Sequence, residues 1–138
     1  MRYAEVEIAA DAAHCYRLLC DIESLPRWLD SVADVQVLER DEKGRVTVAR
    51  FISGHGSAGI SYELVYDYDE PHRLLRWHIR ESTLRELEGE ASLEPLGPNR
   101  CRLRYGIHSS TLSFRDGKLH LADEPPEQAA EHFRRWAE

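Results

Sequence analysis

Residues 75–80 read Leu75-Arg76-Trp77-His78-Ile79-Arg80, residues 86–91 read Glu86-Leu87-Glu88-Gly89-Glu90-Ala91, and residues 100–105 read Arg100-Cys101-Arg102-Leu103-Arg104-Tyr105. Polar and apolar residues alternate in each stretch, the period-two pattern of a strand with one face in a core. Arg76, His78 and Arg80 fall on one face, Glu86, Glu88 and Glu90 on one face of the next strand, and Arg100, Arg102 and Arg104 on one face of the third. The connections, Ser82-Thr83 and Gly97-Pro98-Asn99, are turn signals too short for a crossover helix, so neighbours are expected to pair antiparallel. Stacked in order, the rows read positive, negative, positive, and each facing pair of opposite charges contributes about 0.2–1 kcal/mol. This predicts a solvated outer face. The interleaved glutamates argue against a stripe that grips nucleic acid. The reverse faces carry Leu75, Trp77 and Ile79; Leu87, Gly89, Ala91 and Leu93; and Cys101, Leu103, Tyr105 and Ile107. A one-sided apolar sheet requires a cover.

The same period extends upstream, predicting strands at 32–40, 44–53, 60–69 and 72–81, ahead of 85–95 and 100–110. Tyr3 to Ala9 alternates too. Asp11 is an expected helix N-cap, followed by Cys15, Leu18, Leu19 and Ile22 at i, i+3, i+4 and i+7. Ser24 and Pro26 open a second short helix that buries Trp28 and Leu29. Downstream, Pro125-Pro126 ends any strand and starts a helix with Ala129, Ala130, Phe133, Trp136 and Ala137 on one face. Asp116-Gly117 is a hairpin signal between residues 112 and 121. The order is β-α-α-β6-α, an α+β chain with a curved antiparallel sheet of about seven strands around a C-terminal helix.

The chain of 138 residues fits a single domain over 1–138, with 42% hydrophobic and 31% charged residues. The net charge of -7 opposes a main role in binding phosphate backbones. No apolar run approaches the ~20 residues of a membrane span, and no signal peptide is read at Met1-Arg2-Tyr3-Ala4-Glu5. Cys15, Cys20 and Cys101 are odd in number and lack CxxC spacing, so the expected location is the reducing cytoplasm.

Several segments together carry a family resemblance. They are Val6 to Leu19, the run Asp21-Ile22-Glu23-Ser24-Leu25-Pro26-Arg27-Trp28, Tyr68-Asp69-Glu70-Pro71 ahead of Leu75-Arg76-Trp77, and Gly89 to Pro95. The chain resembles the START-like, helix-grip (SRPBCC) superfamily in its polyketide cyclase/dehydrase-like branch. The resemblance implies a cavity between sheet and C-terminal helix that takes apolar or amphipathic molecules: lipids, polyketides or quinone-like compounds. Binding of such a ligand is the expected function. A cyclase or dehydratase-type lyase or isomerase is the first alternative, and a protein-interaction module or homodimer using the concave face the second. Two departures stand out. Only Glu127 to Glu138 follow the prolines, about 18 Å of helix, where the family helix is longer. Aromatase/cyclases of the family carry a pocket arginine in the strand where this chain reads Leu64-Val65-Tyr66-Asp67-Tyr68.

The expected ligand-binding residues are Trp28, Arg50, His55, Tyr62, Tyr66, Trp77, Tyr105 and Phe133. Tyr62, Tyr66, Trp77 and Tyr105 fall on inward faces, where rings line a pocket and hydroxyls orient a ligand oxygen. Arg50 shares a face with Val46, Val48 and Ile52; turned inward, it needs a carboxylate or a ligand anion, and otherwise it sits at a rim in water. Gly54-His55-Gly56-Ser57-Ala58-Gly59 spells the dinucleotide fingerprint, but Ile60-Ser61-Tyr62-Glu63-Leu64 reads as a strand where that motif needs a helix. The glycines are instead expected to form a loop at the cavity mouth, with His55 and Ser57 facing an entering ligand. The seven histidines make no HExxH-like pair, so no metal and no cofactor is expected.

Overall fold

The computed structural model describes residues 1–53, 60–80, 85–111 and 125–138. Seven strands form one sheet: β1 (Arg2–Ile8), β2 (Val32–Arg40), β3 (Val46–Ser53), β4 (Ile60–Asp69), β5 (Leu74–Ile79), β6 (Arg85–Gly97) and β7 (Arg100–Thr111). All pairs are antiparallel, in the order β1-β7-β6-β5-β4-β3-β2. The chain therefore meanders from β2 to β7, and β7 lies down beside β1. The expected α+β architecture is present. A hairpin expected over 112–121 lies outside the described residues.

Among the described residues, three α-helices cover the concave face. α1 (Ala12–Leu19) starts where the Asp11 carboxylate accepts the His14 amide at 3.2 Å, the expected cap. It buries Ala12, Cys15 and Leu19. The helix stops one turn earlier than its apolar stripe predicts, and Ile22 is buried from a 3-10 turn instead. α2 (Leu25–Trp28) is a single turn with Pro26 near its start. Ser24 does not cap it; its hydroxyl donates to Asp21 at 2.6 Å. α3 (Pro126–Ala137) buries Ala129, Ala130, Phe133 and Ala137, as its periodicity predicts. It packs on β1, β7 and α2, so this short helix covers one end of the sheet. Its end is tied down where Glu138 accepts the Ala9 amide at 2.9 Å.

On the convex face, the charge rows form with a different partnering from the simple stack. Arg76 faces Glu90 and His78 faces Glu88 across β5–β6. The β6–β7 register, however, sets Glu88 opposite His108 and Glu90 opposite Gly106. Two β7 arginines instead meet the acids of β1, Arg100 reaching Glu7 at 2.7 Å and Arg104 reaching Glu5 at 3.9 Å, while Arg102 lies between Glu94 of β6 at 3.4 Å and Glu7 at 3.8 Å. The turn length between β6 and β7 sets that register, and residue alternation alone leaves it open. These exposed pairs are each worth well under ~1 kcal/mol.

β3 departs from simple alternation. Val46 pairs with Arg40 and Val48 with Glu39, so Thr47 is an extra residue that reverses the parity of the strand. Ala49 and Phe51 consequently enter the core with Val46, while Arg50 turns to the outer face.

Candidate functional site

The interior between the sheet and the α1–α2 segment is built around a row of rings. Phe51 on β3, Tyr66 on β4, Trp77 on β5 and Tyr105 on β7 follow one another at centroid distances of 6.3, 6.3 and 5.6 Å. Tyr62 stacks on Phe51 at 5.7 Å. β6 contributes no ring to the row; it contributes Gly89, paired with Trp77 in the register. A Cβ at Gly89 would overlap the Trp77 indole. The glycine is the space in which the indole lies, and this lets Trp77 reach over β6 to Tyr105.

These rings and the helical segment enclose a hollow of about 50 Å³. Its helical wall is Leu19, Ile22, Leu25, Trp28 and Leu29, continued by Ser31 and Val32; Leu64, Leu75, Leu87 and Ile107 complete the sheet wall. Of the expected site residues, Trp28, Tyr62, Tyr66, Trp77 and Tyr105 come together here. Phe133 stands behind the wall, its ring meeting Trp28 edge-on at 5.1 Å and 83°. The described wall is thus the α1–α2 segment where the expected wall is the C-terminal helix. Arg50 does not share this space. On the outer face it pairs with Glu63 at 3.3 Å, and its side chain is 44% exposed. An inward guanidinium would have no carboxylate among the described lining residues, which carry no charge. His55 lies outside the described residues. Phe51 is the principal lining residue missed by the sequence reading. The signal for it was the β3 run Ala49-Arg50-Phe51, in which only the apolar pair suits a core.

Polar atoms in this apolar space lack a partner among the described residues. Trp28 Nε1 is buried without a hydrogen bond. The Tyr66 hydroxyl makes none either; burial, then the neighbouring Tyr62, Tyr105 and Tyr68 hydroxyls, hold it far above the usual phenol range. It is therefore a neutral donor at physiological pH and not a base. Among the described residues no group of three or more histidines, cysteines or carboxylates is placed to hold a metal ion. No described helix is long and apolar enough to cross a membrane.

The buried thiols and phenols make stability fall on the alkaline side. Burial, then a hydrogen bond with Cys101, pushes the Cys15 thiol from 9.0 up to about 12. Burial also raises Cys20 to about 11, and raises Tyr16 and Tyr66. Between these values and those of the unfolded chain, the unfolded state releases protons that the native state keeps. The associated stability is complete below pH 9.0 and is lost as pH climbs toward about 12. The urea midpoint is expected to hold steady from about pH 6 to 8 and to decline above 9, less steeply in Cys15→Ala. A midpoint unchanged through pH 11 would contradict this account.

A curved seven-stranded antiparallel sheet closed by helices over an aromatic interior is the helix-grip architecture of the START-like proteins. The chain belongs to the polyketide cyclase / dehydrase and lipid transport family, whose pattern matches residues 3–136. Comparison with curated proteins gave no match. Among solved structures, a START superfamily protein from Mycobacterium smegmatis is similar at 19% identity and a TM-score of 0.72, over 97% of this chain and 91% of that one. The Zhui aromatase/cyclase from a Streptomyces species is similar at 20% identity and a TM-score of 0.68, over 99% and 87%. Norcoclaurine synthase from Thalictrum flavum, in complex with dopamine and hydroxybenzaldehyde, is similar at 15% identity and a TM-score of 0.68, over 98% and 84%.

Proposed function

We infer that the protein binds a ring-bearing apolar or amphipathic molecule with an oxygen function, of polyketide, quinone-like or lipid character, between the sheet and the α1–α2 wall. The observation that carries this is the pairing of an aromatic, uncharged lining with polar groups unpartnered among the described residues, the Tyr66 hydroxyl and Trp28 Nε1 among them. A buried donor without a partner costs about 1–3 kcal/mol, and a ligand oxygen would recover it. Norcoclaurine synthase, of similar fold, is described with two small aromatic molecules bound, and Zhui is an aromatase/cyclase. The hollow of about 50 Å³ holds a few waters. Small-molecule pockets run from about 300 Å³ upward. Binding therefore requires the hollow to widen. For the enzymatic alternative, the described lining offers only tyrosine and serine hydroxyls as proton-transfer groups; no carboxylate, histidine, lysine or arginine stands among them.

Titration calorimetry with 1-naphthol tests the reading. Binding is expected, with Tyr66→Phe weakening it roughly 2–10-fold, the value of one hydrogen bond. The same variant should leave 1-methylnaphthalene unaffected, and Arg50→Ala should leave both unaffected. Absence of binding at the solubility limit, or an equal effect of Tyr66→Phe on both probes, would count against it.

A further inference from the structure

A second and larger space opens on the opposite side of α1. It measures about 450 Å³ and is lined by Ala13, Tyr16, Arg17, Cys20, Arg45, Tyr68, Glu70 and Arg73. We propose that this cleft binds a small soluble organic anion, a carboxylate or a phosphate monoester with an apolar body. Three arginines and one glutamate face it in a chain whose net charge is -7. Arg45 is fixed in place: it pairs with Asp41 at 2.8 Å and Glu70 at 3.2 Å and lies 4.7 Å over the Tyr68 ring. Among the described residues, Arg17 and Arg73 have no carboxylate within ion-pair distance, which leaves both guanidinium groups to an anion in the cleft. The two phenol rings form an apolar wall in fixed positions, because Tyr16 donates to the Leu74 carbonyl at 3.0 Å and Tyr68 to the Val46 carbonyl at 2.6 Å. Those hydroxyl protons are used within the fold, which leaves the guanidinium groups as the donors for a guest. Paired planar donors suit carboxylate and phosphate oxygens.

Arg73 adds a separate argument. It follows the turn Glu70–His72 with φ 47°, a left-handed conformation that glycine adopts at no steric cost. An arginine there carries backbone strain that a glycine would not. The cleft is lined from α1 and its C-cap Cys20, from Arg45 just ahead of β3, from Tyr68 near the end of β4 and from the β4–β5 turn, and none of these residues belongs to the ring row of the inner hollow.

Amide chemical shifts of the full chain, titrated with phenyl phosphate and with benzoate at low salt, test the proposal. Both are expected to move Tyr16, Arg17 and Arg73, with affinity falling as sodium chloride is raised. Benzyl alcohol, the neutral analogue, is expected to leave these amides unmoved. Arg17→Ala and Arg73→Gly should each weaken phenyl phosphate about tenfold, the value of a charge-assisted hydrogen bond. Arg73→Gly should also leave the melting temperature equal or higher, which separates lost binding from lost folding. Glu70→Gln should strengthen binding. Equal binding of benzyl alcohol, unchanged affinity in the Arg17/Arg73 double variant, or shifts confined to the inner hollow would overturn it.

Discussion

Truncating Phe133 to alanine is expected to lower the unfolding free energy by about 3–5 kcal/mol, the range for deleting a buried aromatic ring. Phe133 is fully buried on the face of α3 that packs on β1, β7 and α2. Its ring meets Trp28 edge-on at 5.1 Å, so the substitution empties a space that α2 and the sheet share. A helix of 12 residues gains little from its own backbone hydrogen bonds, and α3 stays folded mainly through this face. Urea denaturation measures the loss. Phe133→Leu should recover part of it, and Arg135→Ala, on the exposed side, should stay within about 0.5 kcal/mol of the parent. A loss below roughly 1 kcal/mol for the alanine variant would mean that α3 does not anchor the fold.

Gly89→Ala is expected to cost about 1–3 kcal/mol, the penalty of forcing one extra carbon into a packed core. The added carbon would coincide with the Trp77 indole, which lies across the glycine. Either the indole swings into the hollow or β5 and β6 move apart. The first outcome breaks the Trp77–Tyr105 contact of 5.6 Å and fills the space proposed for a ligand. Tryptophan emission should shift, and 1-naphthol binding should fall with stability. Gly97→Ala is the matched control, because a Cβ there meets nothing within 4 Å. Equal stability of the two variants would show that Trp77 does not depend on Gly89.

Most of the fold could be read from residue pattern. Alternation located β5, β6 and β7 to within a few residues, because one face of each strand is apolar and the other ionic, and period two separates them cleanly. Asp11, Pro26 and Pro126 marked helix starts through local backbone chemistry that acts within one turn. Which residues of β3 face inward is not legible along the strand. Val46, Val48, Arg50 and Ile52 look like one side of a strand, but the extra Thr47 turns Arg50 out and Phe51 in. A bulge is a property of two strands in register, and a pattern read along one strand does not contain it. Five of the eight expected ligand residues line the hollow because they fall on regular strands or on the α2 turn; Phe133 supports it from behind.

Sequence alone determined the α+β order, the ionic back and apolar front of the sheet, and the rings that would meet inside, since each follows from local periodicity and turn chemistry. Tertiary structure alone decided which acids pair with the β7 arginines, that the described helical wall of the hollow is α1–α2, and that Arg17, Arg45 and Arg73 share one cleft. Those outcomes depend on register, sheet curvature and the meeting of segments distant in the chain, and only the folded backbone brings such segments within reach of one another.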